Sequence, residues 1–180
     1  FEVGRDALIE DYAVVNNGAG DVVIGDQARI GIGSVIIGLR LGDRAGLGQH
    51  VFISGFNHGY ADGTRDSNAQ ELVRKEVTIG RESHIGANSV VVAGVTIGER
   101  CQIGAGSVVT KNIPSYSVAV GNPARVIKRY DAARAKWNVS MNNPKVSVII
   151  PDYNNGGPTS NRPCVRSWDQ TLRDIELIVV

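Results

Sequence analysis

The sequence has few aromatic residues, few cysteines and little net charge. Only 6% of its 180 residues are aromatic, and its two cysteines, Cys101 and Cys164, lie far apart. Such a pair suggests neither a disulfide framework nor a zinc site, so a reducing cytoplasm is the default expectation. A formal net charge of +1 implies no strong attraction to nucleic acid. No apolar run approaches the length of a transmembrane helix and no signal peptide is visible, so no membrane insertion is expected.

The sequence is rich in glycine, with 22 residues, and it carries a strict six-residue period. Between Val77 and Val109 an aliphatic residue occupies every sixth position, and glycine follows it in four of six cases. The aliphatic positions are Ile79, Ile85, Val91, Ile97, Ile103 and Val109. This period is neither helical nor the alternation of one strand, and it is typical of a solenoid of short strands. We expect three units per triangular coil, aliphatic side chains along the axis, and glycines that supply a backbone conformation strained for other residues.

The six-residue spacing recurs from Val3 to Ile53, with an inserted turn after Val15 and with Leu41 one residue early. It predicts about three coils before residue 56, two after residue 77 and a closing turn. Residues 56–76 interrupt the period with a polar segment rich in Gly, Asn and Asp. An excursion loop of this length is more often functional than accidental. A short helical turn is expected within it, around residues 69–74.

The repeat ends after Val109, where Pro114 and Pro123 interrupt strand pairing. Residues 126–137 favour a short basic helix that would cap the open end of the stack. Residues 144–180 contain two runs of β-branched residues with a possible helix between them, which is the pattern of a parallel α/β unit. The predicted organisation is a repeat domain over 1–137, a linker over 138–143 and an α/β-like tail over 144–180.

The segment VTIGERCQIGAGSVVTKNIPSYSVAVGNPARVIK resembles the final coils of the hexapeptide-repeat acyltransferases. The closest subgroup is the acetyltransferases that modify sugars, xenobiotics and cell-surface polysaccharides at hydroxyl groups. The resemblance covers residues 1 to about 130 and is most specific in the combined IGAGSVVTK and GNPARVIK motifs. It implies an all-β fold, a left-handed parallel β-helix, a homotrimer and acetyl-CoA as acyl donor. The six-residue period alone gives neither the trimer nor the handedness, because left-handed crossovers depart from the usual rule.

The last stretch, from PKVSVIIPDYNN to DIELIVV, is similar to the start of the family 2 glycosyltransferases. That family begins with a strand, a P-x-Y-N turn, a helix and a second strand. The sequence ends at Val180, before any acidic metal-binding motif, and so short a segment cannot bury a core of its own. We expect the truncated start of a second enzyme, with surface polysaccharide or glycan assembly as the setting. The alternative is a C-terminal extension particular to this protein, whose two strand-like runs resemble a glycosyltransferase only by coincidence.

His58, in the motif SGFNHGYADGT at the start of the loop, resembles the general base of the xenobiotic and polysaccharide acetyltransferases. A sugar hydroxyl attacks a thioester only as a base removes its proton, and an imidazole, with an unperturbed pKa of about 6.5, suits this task. A nearby N–H donor would stabilise the tetrahedral oxyanion. No nucleophile motif around a Ser or Cys is evident, so no acetyl-enzyme is expected. The alternative is a surface histidine without a catalytic role.

The same resemblance implies that Ala87 and Ala105 present backbone groups to the pantetheine arm of the donor. The residues that match nucleotide- and phosphate-binding positions are Thr110, Lys111, Arg125 and Lys128. Lysine and arginine suit phosphate because their hydrogen bonds are charge-assisted, although a solvated basic face is the alternative. The candidates for acceptor contacts are Asn57, Tyr60, Asp62 and His84. Asp62 also fits a simple turn residue, and His84 a packing residue.

The resulting hypothesis is an acetyl-CoA-dependent O-acetyltransferase that acts on a sugar or glycan hydroxyl. One alternative is an amino-sugar N-acetyltransferase, and another is a non-catalytic trimeric solenoid that organises a fused glycosyltransferase. The γ-class carbonic anhydrases share the solenoid and bind zinc through three histidines, two of them five residues apart. His50 and His58 are eight residues apart, so no metal is expected.

Overall fold

The computed structural model describes residues 1–139 in full and, beyond them, two strands at 146–150 and 175–179. Most strands within residues 1–139 form a left-handed parallel β-helix, so the fold class implied by the resemblance is confirmed. Residues 1–141 form one unit and residues 142–180 another. No helix in the described part of the chain is both long and apolar enough to cross a membrane.

Three short strands make up each coil before the loop. Coils one to three contain β1 (Glu2–Val3), β2 (Leu8–Ile9), β3 (Val14–Asn16), β4 (Val22–Ile24), β5 (Arg29–Ile30), β6 (Val35–Ile37), β7 (Leu39–Leu41), β8 (Gly46–Leu47) and β9 (Phe52–Ser54). The loop contains β10 (Phe56–Asn57), a 3₁₀ turn (Ser67–Ala69) and β11 (Val73–Arg74). The predicted helical turn at 69–74 is therefore misplaced, because it begins earlier and residues 73–74 are extended.

Two further coils follow the loop, as the period predicted. They contain β12 (Val77–Ile79), β13 (His84–Ile85), β14 (Val90–Val91), β15 (Thr96–Ile97), β16 (Gln102–Ile103) and β17 (Val108–Val109). The stack closes with β18 (Ser117–Gly121), β19 (Ala124–Asp131) and β20 (Lys136–Val139).

The strands form three sheets, which are the sides of a prism. Face 1 has the order β1-β4-β7-β12-β15, and face 3 contains β3, β6, β9, β14 and β17 in stacking order. Face 2 has the order β2-β5-β8-β13-β16-β18-β19-β20. The parallel register places the repeat residues directly above one another, as Ile85 over Leu47 and Ile103 over Ile85. All six predicted aliphatic positions from Ile79 to Val109 are at most 4% exposed, which confirms the predicted core in these coils. In the first coil the predicted inward residues Val3 and Ile9 are 48% and 38% exposed.

The glycine that follows the inward aliphatic residue has a different role from the one expected. None of the glycines at 80, 86, 98 and 104 has a positive φ angle; the left-handed residue comes two positions later, as at Glu82 (φ 57°). A Cβ added at Gly80 would instead lie 2.6 Å from the backbone nitrogen of Glu99 in the next coil. These glycines therefore permit close stacking of coils, and the expectation of a strained backbone at these positions was wrong.

Buried serines link successive coils next to the left-handed corners. The hydroxyl of Ser89 donates to the Gly104 carbonyl at 3.2 Å and accepts from the Ser107 backbone N–H at 3.3 Å. Ser83 bonds in the same way to the carbonyl of Gly98 (2.7 Å) and the N–H of Cys101 (2.9 Å). Each serine thus satisfies polar backbone groups that the prism would otherwise bury unpaired.

An ion-pair ladder follows the corner between faces 1 and 2. The carboxylate of Glu82 accepts from Arg44 at 2.7 Å and pairs with Arg100 at 2.6 Å. The hydrogen bond from Arg44 is the main cause that holds the pKa of Glu82 below its usual value. The guanidinium of Arg100 in turn lies 5.9 Å from the ring centre of Tyr116, so charged and aromatic side chains bridge several coils.

The C-terminal end of the stack is a β-hairpin, so the short basic helix predicted for 126–137 was wrong. β18 pairs in parallel with β16, and β19 and β20 extend face 2 by antiparallel pairing. Tyr130 stacks on Tyr116 at 6.3 Å and meets the ring of Trp137 at 5.4 Å. The open edge of face 2 offers backbone partners to the arriving chain, and this outweighs the local helical pattern.

In the second unit the two predicted strands, β21 (Val146–Ile150) and β22 (Ile175–Val179), are present and pair in parallel. The predicted helix between them lies outside the described residues, and most of the predicted linker does too. The boundaries at 137 and 144 remain a prediction.

Candidate functional site

The excursion loop leaves the prism at the corner between faces 3 and 1, after β9 and before β12. At its base β10 pairs antiparallel with β11, with Phe56 opposite Arg74 and Asn57 opposite Val73. His58 follows β10 directly and is exposed. Its ring meets the Phe56 ring edge-on, with centroids 5.6 Å apart and planes at 69°. The strand pair and this aromatic contact therefore present the imidazole at the mouth of the loop.

The rest of the loop is held by its own side chains. The Gln70 amide donates to the carbonyls of Asp62 (3.1 Å) and Arg65 (3.2 Å) and accepts from the Asp62 N–H at 3.1 Å. The Asp62 carboxylate accepts from the hydroxyl (2.6 Å) and N–H (2.9 Å) of Thr64, and these bonds lower the pKa of Asp62. Asp62 is therefore used in a turn of the loop. Tyr60, the other predicted acceptor residue in this part of the loop, is 81% exposed.

The His58 imidazole has no hydrogen-bond partner among the described residues. A general base is normally oriented by a second group, and the described residues supply no such group to His58. The described part of the chain also contains no group of three His, Cys, Asp or Glu side chains that could hold a metal ion. Burial raises the pKa of the Cys101 thiol, which donates to the Pro114 carbonyl at 3.2 Å and is unsuited to act as a nucleophile.

The two predicted pantetheine residues stack at the opposite corner, between faces 2 and 3. The carbonyl of Ala87 accepts from the N–H of Gly106, the residue after Ala105, at 2.8 Å. The equivalent positions in the two preceding coils carry larger side chains, Ile32 and Gln49. Only the fourth and fifth coils therefore offer a strip where a thin ligand can lie against the backbone, which we call the alanine strip (Ala87 and Ala105).

His50 lies at the same corner, one coil before the alanine strip. Its φ angle is 54° and its side chain is exposed, so the expected outward position at a corner is confirmed. His84 is exposed on the outer surface of face 2, in β13. The structure thus puts the three histidines on three different parts of the prism.

The predicted phosphate-binding residues all lie at the C-terminal end of the stack, and all are exposed. They do not form one cluster. Thr110 and Lys111 follow β17 at the corner between faces 3 and 1, whereas Arg125 and Lys128 lie in β19, opposite Val120 and Val118 of β18. Basic groups therefore flank face 3 and face 2 separately.

The outer surface of face 3 carries an apolar ladder that sequence reasoning missed. Its members are in register from strand to strand and are Val14, Val35, Phe52, Val90 and Val108. Val14 is 51% exposed and Phe52 41% exposed. The matching outward positions of face 1 include Arg40, Thr78 and Thr96. The signal was available in the sequence, since each ladder residue directly precedes an inward aliphatic residue in every third repeat.

Face 3 also separates the two halves of the predicted site. The loop with His58 leaves one edge of this face and the alanine strip lies along the other edge. A single chain therefore keeps the predicted base and the predicted donor site apart.

Two family models match the repeats: "Bacterial transferase hexapeptide (six repeats)" over residues 76–111 and "Hexapeptide repeat of succinyl-transferase" over residues 21–53. The chain is 34% identical over 143 residues to the probable acetyltransferase Rv3034c of Mycobacterium tuberculosis. That match covers 78% of this chain and 47% of the relative, so the chain spans about half the length of the curated relative it matches.

Solved structures share the fold. A maltose O-acetyltransferase from Clostridium difficile 630 is 30% identical, with 71% of this chain and 68% of that chain covered and a TM-score of 0.53. AntD, an N-acyltransferase from Bacillus cereus solved with dTDP and 3-hydroxybutyryl-CoA, is 22% identical, with 73% of each chain covered and a TM-score of 0.63.

Proposed function

Because the chain belongs to the hexapeptide-repeat acyltransferase family, we propose that it transfers the acetyl group of acetyl-CoA to a hydroxyl group of a sugar or glycan. The 30% identity to a maltose O-acetyltransferase favours a hydroxyl acceptor, and the N-acyltransferase AntD resembles the chain at a lower identity. The proposed setting is surface polysaccharide or glycan assembly, which rests on the similarity of residues 144–180 to the start of a family 2 glycosyltransferase.

The observation that carries this function is the 30% identity to a maltose O-acetyltransferase, and the separation of His58 from the alanine strip by face 3 indicates how the site would be assembled. A second copy whose loop meets the far edge of this face would bring the two together. Such a contact joins different surfaces on the two copies, so repeated copies form a closed ring when the rotation permits it. We therefore propose a ring of copies with the apolar ladder of face 3 turned toward the neighbours, and the family resemblance favours a homotrimer.

The ladder supports this assembly on energetic grounds. Exposed contiguous apolar surface is uncommon on monomers and marks interaction sites. Its burial gains about 25 cal/mol per Å² of apolar area removed from water. Faces 1 and 2 carry charged or polar side chains such as Arg40 and Gln102 at the matching positions, so face 3 is the side suited to contact between copies.

The donor would lie along the corner between faces 2 and 3. The small side chains of Ala87 and Ala105 leave backbone groups accessible to the pantetheine amides, and Arg125 and Lys128 lie at the C-terminal end of face 2. Lys111 lies at the other edge of face 3 and would reach the donor of an adjacent copy. The positive charge of these residues suits the phosphates of the nucleotide portion of CoA. The thioester would then reach the alanine strip beside His58 of an adjacent copy.

In the proposed reaction the imidazole of His58 accepts the proton of the acceptor hydroxyl as its oxygen attacks the thioester carbonyl. The C–S bond breaks when the tetrahedral oxyanion collapses, and the imidazolium returns the proton to the departing CoA sulfur. The products are the O-acetyl sugar and free CoA thiol. Direct transfer is consistent with the buried, protonated state of Cys101.

The test compares His58→Ala with Thr96→Ala, which truncates an exposed side chain on face 1, away from the loop and the alanine strip. Thiol release from acetyl-CoA with sugar acceptors should fall by about 10²–10⁴-fold in His58→Ala, the usual contribution of a general base, and should change little in Thr96→Ala. CoA affinity by calorimetry and assembly mass by light scattering should stay constant in both. Equal activity of the two variants would remove His58 from the mechanism, and absence of CoA binding in the wild type would favour a non-catalytic scaffold. Matched hydroxyl and amine acceptors distinguish O- from N-transfer.

A further inference from the structure

A groove of about 780 Å³ crosses the outer surface of face 2. It begins at the corner between faces 1 and 2, at Gln27 and Arg44, and it ends at the corner between faces 2 and 3, at Gly48 and Gln49. The five residue steps from Arg44 to Gln49 span at most about 16 Å of extended backbone. Its volume is within the range of small-molecule sites, roughly 300–1,000 Å³.

One of the outward positions that line the groove is a glycine. Arg29, Gly46 and His84 follow one another in register on β5, β8 and β13. The imidazole of His84 leans over Gly46, so that a Cβ there would lie 2.7 Å from its Nδ1 atom. The absence of a side chain at Gly46 thus makes room for the imidazole of His84, and Arg29 lines the groove on the other side of Gly46.

The polar lining has balanced charge. It combines two carboxylates, two guanidinium groups and two side-chain amides, from Asp6, Glu10, Arg29, Arg44, Gln27 and Gln49. One of the guanidinium groups is already bound by Glu82, at 2.7 Å. A site for a diphosphate would need more cationic than anionic side chains, and a site for an apolar peptide would need an apolar floor. Paired donors and acceptors beside a flat ring instead suit an uncharged ligand rich in hydroxyl groups.

One end of the groove adjoins the site proposed for the donor. Gly48 lines this end, and a Cβ on Gly48 would lie 2.8 Å from the backbone nitrogen of Ala87 in the alanine strip. A ligand that lies in the groove can therefore extend one terminus to the place where the thioester is expected.

We propose that this groove binds the sugar units of the acceptor beyond the unit that reacts, so that the acceptor is an uncharged oligosaccharide or polysaccharide. This inference rests on the proposed function for the position of the reacting sugar. It adds a binding site on face 2, remote from the loop, that sets a preference for long acceptors over monosaccharides.

The test uses Arg29→Trp, which fills the groove from an exposed strand position, and Arg40→Trp, the same change at an outward arginine of face 1. Calorimetry on the full chain measures binding of maltoheptaose, cellohexaose and chitohexaose, each against its monosaccharide. At least one oligosaccharide should bind more tightly than its monosaccharide. Arg29→Trp should weaken that binding about tenfold or more, a loss of about 1.4 kcal/mol. Arg40→Trp should bind the oligosaccharide as the wild type does, and both variants should keep the wild-type affinity for CoA.

Three results would overturn the proposal: wild-type oligosaccharide affinity in Arg29→Trp, no binding of any of the three oligosaccharides by a protein that binds CoA, or a change in assembly mass in Arg29→Trp alone. The last result would identify face 2 as a contact between copies. If an oligosaccharide binds through Arg29 but CoA does not bind, the proposed transfer reaction fails and the groove remains a glycan site.

Discussion

Substitution of Gly80 by alanine tests why glycine recurs after the inward aliphatic residue. The added Cβ would lie 2.6 Å from the Glu99 nitrogen and the Gly98 carbonyl carbon, both backbone atoms that cannot rotate away. The next coil would have to move by several tenths of an ångström, against hydrogen bonds such as Gly80 N–H to the Ile97 carbonyl at 2.8 Å. Overpacking of this kind costs about 1–3 kcal/mol. Tm should fall by about 2–4 °C for each kcal/mol in a chain of this size.

Two further glycines separate the possible causes. Gly106 has a φ of 70° and nothing within 4 Å of an added Cβ, so Gly106→Ala measures the left-handed backbone cost of about 1–2 kcal/mol alone. Gly63 has neither a positive φ nor a neighbour within 4 Å, so Gly63→Ala should be neutral or stabilising by about 0.4–1 kcal/mol. Thermal unfolding followed by circular dichroism compares the three variants. A Gly80→Ala protein as stable as the wild type would refute the explanation by coil contact.

Three more predictions follow from the prism. Phe52→Asp should charge the apolar ladder and reduce the assembly mass measured by light scattering, while Thr96→Asp on face 1 should not; an unchanged mass in the first variant would exclude face 3 as the interface. Ser89→Ala should lower the free energy of unfolding by about 1–3 kcal/mol, because the buried Ser107 N–H loses its acceptor, and a neutral result would contradict that assignment. Glu82 has a pKa below its usual 4.5 in the folded chain, so its contribution to stability is complete above that pH and is lost as the pH falls through the folded value. Wild-type stability should therefore drop more steeply than that of Glu82→Gln on acidification below about pH 4.5, and parallel Tm profiles would rule this contribution out.

The candidate site was partly predictable from sequence. His58 is predicted as the base because it stands where the hexapeptide period stops and because its motif resembles a known catalytic histidine. The outward position of His50 followed from its spacing to Ile53. The separation of His58 from Ala87 by face 3 was not predicted, since it depends on which corner of the prism each of the two residues occupies.

Residues 126–137 show where local pattern was insufficient. Their basic, alanine-containing sequence favours a helix in isolation, but β18 presents an unpaired edge that takes up β19 and β20 as strands. Pairing with an existing sheet satisfies backbone groups of both partners, whereas a lone short helix is marginal. The outcome depended on a neighbour that only the folded chain provides.

The sequence by itself determined the prism: an aliphatic residue at every sixth position can be buried only if three short strands make a coil and the coils stack in register. It also marked the loop, because a polar segment without that period cannot contribute to the axis. The tertiary structure decided what each side of the prism carries, since outward residues far apart in the chain, such as Val14 and Val108, join one ladder only when the coils are stacked. The tertiary structure likewise determined that a groove lies at Gly46, because the residues that line this groove come from several coils.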